Sequence, residues 1–211
     1  MRSLEMKKTT SIAVTIMMMV CLFSCYSNAQ RTTTTQAPMD KKILIVYLSR
    51  TNNTKAIAEI IQKNVGGDLI AIEMAHPYPK DYKTTVAQVQ QENETGYLPP
   101  LKTKIDGIEQ YDIVFIGFPT WGMKLPPPIK TFLNQYNLKG KTIVPFNSNA
   151  GYGIGSSFDQ VKQLCPESKI MDGFSTKGGV ERDGQLLVIK DQKRETVAKE
   201  FIKWLQRLAL I

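Results

Sequence analysis

The sequence predicts an α/β protein: a three-layer α/β/α sandwich around one five-stranded parallel sheet in the strand order 2-1-3-4-5. Three observations predict it. From Lys41 onward, short β-branched apolar runs alternate with segments of helical period. The strand-like runs are nearly continuous in apolar character, as strands covered by helices on both faces must be. A chain of 211 residues, 42% of them apolar, holds one well-buried core, and no internal repeat or second core is visible.

The first strand is the run Ile43 to Leu48, expected at the centre of the sheet. A helix follows with Ile57, Ile60, Ile61 and Val65 at helical spacing, and Gly66-Gly67 stops it. Asp68 to Met74 reads as the second strand, broken off by Pro77 and Pro79. A polar helix from about Asp81 to Glu94 and a loop through Pro99-Pro100 lead to the third strand, Ile113 to Gly117. Ile129, Phe132, Leu133 and Tyr136 define the next helix, where Pro126, Pro127 and Pro128 are tolerated at or before the first turn. Thr142 to Phe146 is the fourth strand, and Phe158, Val161 and Cys165 mark the inner face of the helix after it. Lys169 to Phe174 is the expected fifth strand. Gly178-Gly179 and Asp183-Gly184 then suggest a hairpin with Leu186 to Ile189, and the last helix buries Val197, Phe201, Trp204, Leu205 and Leu208.

Ahead of this region, residues 1–25 follow the grammar of an export signal: basic Arg2, Lys7 and Lys8, then an apolar run from Ile12 to Phe23. The run is too short for the roughly 20 residues that a membrane-spanning helix needs. Leu22-Phe23-Ser24-Cys25 resembles a bacterial lipobox, which makes Cys25 the expected lipidated first residue; Ser27-Asn28-Ala29 is the competing cleavage site. The expected location is therefore outside a bacterial cytoplasm, periplasmic or lipid-anchored, with the membrane touched through Cys25 alone. Residues 26–40 are polar and read as a flexible tether to a domain over residues 41–211.

The formal charge of +8 becomes +6 without residues 1–25, which hold three basic residues and one acidic one. The lysines are scattered and not set in a stripe interleaved with aromatics, which argues against nucleic acid and leaves an anionic surface or acidic partner. With one histidine, His76, and with Cys165 the sole cysteine after residue 25, neither a His/Cys metal cluster nor an intradomain disulfide is expected. Ser148 lacks the flanking glycine of a nucleophile elbow, no P-loop pattern occurs, and Gly151-x-Gly153 lacks the third glycine of a dinucleotide fingerprint.

In the predicted topology the ligand crevice lies outside the carboxyl ends of the strands, near the switch between strands 1 and 3. Three loops meet there. Ser49-Arg50-Thr51-Asn52-Asn53-Thr54 packs hydroxyls and amides against a helix N-terminus, where free N–H groups and partial positive charge suit a phosphate; plain N-capping is the alternative. Pro119-Thr120-Trp121-Gly122 puts an aromatic where it can cover a flat ring, or pack under its own loop. Asn147-Ser148-Asn149, Gly151, Tyr152 and Gly153 form a loop whose glycines allow close backbone approach.

These residues resemble the flavodoxin family. Ser49 to Thr54 is similar to its S-R-T-G-N-T phosphate loop, with Asn52 in place of the glycine, and Pro119 to Pro128 is similar to a P-x-W-x-x-x-x-P-P-P segment. The resemblance spans about Lys42 to Leu205. It implies non-covalent FMN and electron transfer, with the phosphate at Ser49, Thr51, Asn53 and Thr54, the ribityl chain and one ring face at Pro119 to Gly122, and the ring edge at Asn147 to Gly153. No side chain is needed as acid or base, since the flavin supplies the chemistry. The partner is a redox protein or a small-molecule acceptor. An FMN-dependent NAD(P)H:quinone or flavin reductase of the same fold, and a flavin-free binding module, are the alternatives. The basic charge departs from the acidic character usual in flavodoxins.

Overall fold

A computed structural model of the protein describes residues 41–211. The expected export signal, the expected tether and Cys25 lie outside the described residues. Among the described residues no helix is long and apolar enough to cross a membrane.

Six parallel strand segments form one sheet. β1 (Ile43–Tyr47) lies between β2 (Asp68–Ala71) and β3 (Ile113–Pro119), and β4 (Thr142–Asn149) follows β3. β4 pairs with β5 (Lys169–Ile170) through its first residues and with β6 (Phe174–Lys177) through its last. The order 2-1-3-4-5 is the predicted one, with the fifth position shared by two short pieces.

The apolar runs make central strands because alternate side chains leave in opposite directions and both faces are covered. From β3, Ile113 and Phe115 enter a core with Ile57 and Ile61 of α1 (Asn53–Val65) and Phe201 of α5 (Asp191–Arg207). Val114, Ile116 and Phe118 enter the opposite core, with Ile129 and Phe132 of α3 (Pro127–Gln135) and Val161 of α4 (Ser157–Leu164). The polar α2 (Tyr82–Thr95) lies beside α3, tied by Lys130 Nζ donating to Asn93 Oδ1 at 2.7 Å. Pro127 stands at the first turn of α3, where its missing N–H costs nothing.

Three expected elements differ. β2 stops at Ala71; Met74 instead bridges antiparallel to Leu101, where the chain returns along this edge. The fifth strand is interrupted at 171–173. Ile143 accepts from the N–H of Met171, so Pro145, two residues on, faces the same side without a donor. The register shifts there by one residue, from Ile143↔Ile170 to Phe146↔Phe174, a bulge that restores pairing. No hairpin forms with Leu186 to Ile189. That stretch is irregular, preceded by a 3₁₀ turn at Glu181–Asp183, and its backbone is held by Asn53.

Candidate functional site

Asn52 turns the chain from β1 into α1 with φ 63° and ψ 2°, the left-handed conformation that asparagine tolerates better than most residues. The turn leaves a row of donors. Among the described residues the N–H groups of Thr51, Asn52, Asn53 and Thr54 meet no acceptor, whereas Lys55 N–H is capped by Ser49 Oγ at 3.2 Å. Four free N–H groups at a helix start form an anion seat. Thr54 Oγ1 lies 2.8 Å from Ser148 Oγ, which fastens the first loop to the end of β4.

Arg50 and Asn53 are engaged elsewhere. Arg50 Nε pairs with Glu181 at 2.7 Å, and its other nitrogens donate to the carbonyls of Pro79 and Lys80. The seat therefore relies on neutral donors. Asn53 Nδ2 donates to Thr51 Oγ1 at 2.9 Å and to the Leu186 carbonyl at 2.6 Å, and its Oδ1 accepts from Val188 and Ile189.

Trp121 and Lys124 close a two-residue turn through paired backbone hydrogen bonds, with Gly122 at φ 57° and Met123 at φ 60°. The turn docks on Gly155, because Ser156 N–H donates to the Met123 carbonyl at 3.0 Å. Tyr78 meets the Trp121 ring edge-on at 5.2 Å, and its hydroxyl donates to buried Glu92. Burial first, and then that hydrogen bond, push the Tyr78 hydroxyl far above its ordinary pKa. The indole is thus fixed from behind by packing that a lone loop tryptophan lacks.

In the third loop Asn147 is buried and donates to the Phe118 carbonyl and to Thr120 Oγ1, both at 3.0 Å. Asn149 Oδ1 accepts from Gly151 and Gly153 and shapes the turn. Tyr152 projects from its tip, 68% exposed.

These loops meet around one cleft of about 820 Å³. Arg50, Thr51, Asn53, Thr54, Pro119, Thr120, Trp121, Gly122, Ser148, Asn149, Tyr152 and Gly153 line it. Ser49, Asn52, Asn147 and Gly151 do not: they shape the loops from behind, and Ser49 lines a separate cavity of about 440 Å³ on the other side of Trp121. Two further walls come from segments outside the three loops, one from Gly178 to Arg182 and one from α2. The α2 wall had a sequence signal, since Tyr82, Val86, Val89 and Asn93 recur at i, i+4, i+7 and i+11. The Gly178 wall had none beyond its glycines. Among the described residues no group of three metal-ligating side chains occurs.

A parallel sheet of this order with a lined cleft beyond its carboxyl edge, at the β1/β3 switch, defines a doubly wound α/β protein that binds a phosphorylated ligand. A family model described as Flavodoxin matches residues 42–188, and the chain belongs to the flavodoxin family. It is 26% identical over 141 residues to a flavodoxin of Synechocystis, covering 65% of this chain and 69% of that one. Among solved structures it is similar to a Bacteroides eggerthii protein assigned as a flavoprotein, with 32% identity, 80% and 98% of the two chains covered and a TM-score of 0.65. A Lactobacillus acidophilus flavoprotein solved in complex with FMN shares the fold at 23% identity and a TM-score of 0.59, over 69% and 98% of the chains.

Proposed function

We propose that the cleft holds FMN non-covalently and that the protein passes electrons through it. The observation that carries this reading is the row of free N–H groups from Thr51 to Thr54 opening on the same cleft as Trp121 and the Asn149 to Gly153 loop. A phosphate at that row accepts from the backbone, with the hydroxyls of Thr51 and Thr54 beside it. Trp121, braced by Tyr78, offers a flat apolar surface to one ring face, and Tyr152 lines the same cleft from a loop whose glycines admit a ring edge. Bound there, FMN supplies one- and two-electron redox chemistry; the chain supplies binding, orientation and shelter from water.

Flavin fluorescence tests the reading: titrating the purified 41–211 domain with FMN should quench emission to a stoichiometric endpoint. Protein that leaves emission unchanged at micromolar concentrations overturns it. From residues 1–25 we further propose export with lipidation at Cys25. Fatty-acid labelling of the expressed full chain, abolished by Cys25→Ser, is the expected result.

A further inference from the structure

Glu92 of α2 does not line the cleft. It is 5% exposed, and among the described residues no lysine or arginine forms an ion pair with it. Its two side-chain partners are neutral: Gln88 Nε2 donates at 2.9 Å, and the Tyr78 hydroxyl donates to Oε2. A carboxylate taken out of water without a counter-ion is costly. A glutamine would accept from the tyrosine without that cost, so packing and hydrogen bonding alone do not account for the charge.

Its surroundings are oxidisable. Tyr78 is buried as well, and its ring meets that of Trp121 edge-on at a centroid distance of 5.2 Å. Trp121 in turn lines the cleft. From the cleft inward the order is therefore indole, phenol, carboxylate, each in contact with the next. A phenol, with a pKa of about 10, keeps its proton at neutral pH, and it gives up an electron readily only when a base takes that proton in the same step. Glu92 is such a base, already hydrogen-bonded to the proton concerned.

We propose that Trp121, Tyr78 and Glu92 form a one-electron relay, which moves an oxidising equivalent from the cleft wall to a buried phenol. When a strong one-electron oxidant in the cleft takes an electron from the indole, Tyr78 returns one electron to Trp121. The Tyr78 O–H bond breaks, and its proton forms an O–H bond at Glu92 Oε2. The oxidant has then gained one electron and Tyr78 has lost one, leaving a neutral tyrosyl radical beside a neutral carboxylic acid. The step runs backwards when the electron returns. A light-excited flavin is an oxidant of that strength, and this choice alone rests on the FMN reading; the relay itself needs only an oxidised Trp121.

Pulse radiolysis of FMN-free protein with the azide radical, which oxidises tryptophan in preference to tyrosine, tests the relay. Of the two tryptophans Trp204 is 4% exposed, so Trp121 is the one within reach. The absorption of the indole radical should appear first and give way to that of the phenoxyl radical, at a rate independent of protein concentration. Tyr78→Phe should abolish this succession. Tyr111→Phe, which removes a tyrosine–carboxylate pair at the opposite edge of the sheet, should preserve it. Glu92→Gln should slow the transfer roughly 10²-fold, the lower end of what a positioned base supplies, and heavy water should slow it in the unsubstituted protein. A succession that survives Tyr78→Phe, or a rate indifferent to both Glu92→Gln and heavy water, overturns the relay. Flash excitation of FMN-loaded protein should give the same two radicals in the same order. Protein that leaves flavin emission unchanged yet passes the azide test counts against the cofactor and supports the relay, whereas bound flavin whose excitation yields no phenoxyl radical overturns it as a path from the cleft.

Discussion

Asn53 uses both ends of its amide to join two distant segments, Thr51 on one side and residues 186–189 on the other. The motif resemblance placed it at the phosphate without saying by which atoms; the hydrogen bonds make its side chain a clamp and leave its backbone N–H without a partner. Asn53→Ala strips the acceptor from two N–H groups, one of them on Ile189, which is 1% exposed. Leaving such donors unpaired costs about 1–3 kcal/mol each, with the half-buried Val188 N–H at the low end of that range, so a loss of about 2–4 kcal/mol is expected in urea unfolding, with faster amide exchange at 186–189. Asn52 behaves as its residue type foretold. At φ 63° it sits where glycine is at ease, so Asn52→Gly should change stability by less than about 1 kcal/mol, while Asn52→Val should lose about 1–2 kcal/mol in the same assay.

At the scale of elements, the cleft depends on one turn seated on one glycine. A Cβ on Gly155 would lie 2.1 Å from the Met123 carbonyl oxygen, at a φ of 55° that side chains resist. Gly155→Ala should therefore displace the 121–124 turn, and Trp121 with it. FMN affinity is expected to fall at least about ten-fold, on the ground that a displaced stacking contact and its lost burial are worth more than 1.4 kcal/mol. A flavin fluorescence titration beside a thermal melt separates this from general unfolding. Which elements were legible follows from where their causes lie. β1, β3 and β4 announce themselves because burial on both faces demands unbroken apolar runs. The fifth strand does not, because its interruption is caused by Pro145 on a different strand. The supposed hairpin fails for a similar reason: its glycines serve close packing, with a Cβ on Gly179 falling 2.0 Å from the Leu186 carbonyl oxygen. The three loops of the site were legible as motifs. The α2 wall was passed over because its few apolar residues face a cleft, and a polar helix reads as a solvated one.

For the whole molecule, the tyrosines set an alkaline limit. The Tyr111 hydroxyl donates to Asp68 at 2.6 Å, joining the chain just before β3 to the start of β2, and that hydrogen bond, with burial second, pushes its pKa up to about 12. Tyr78, behind Trp121, is pushed up further by burial and Glu92, and Tyr47 of β1 is raised by burial and then by Glu59. The direction is common to the edge of the sheet, its centre and the cleft. A hydroxyl whose folded pKa exceeds its free value of about 10 keeps its proton in the native state after the unfolded chain has lost it. Its contribution is therefore complete below pH 10 and declines as pH rises through the folded value. Urea midpoints should accordingly be flat from pH 8 to 9.5 and fall between pH 10 and 12, each such tyrosine adding up to one proton released on unfolding. Tyr111→Phe should lower the plateau, because the hydrogen bond is gone, yet make the fall shallower, because one titrating group has been removed. A slope unchanged by Tyr111→Phe would show that Asp68 does not hold that proton, and would leave the tyrosines nearer the cleft as the source of the alkaline loss.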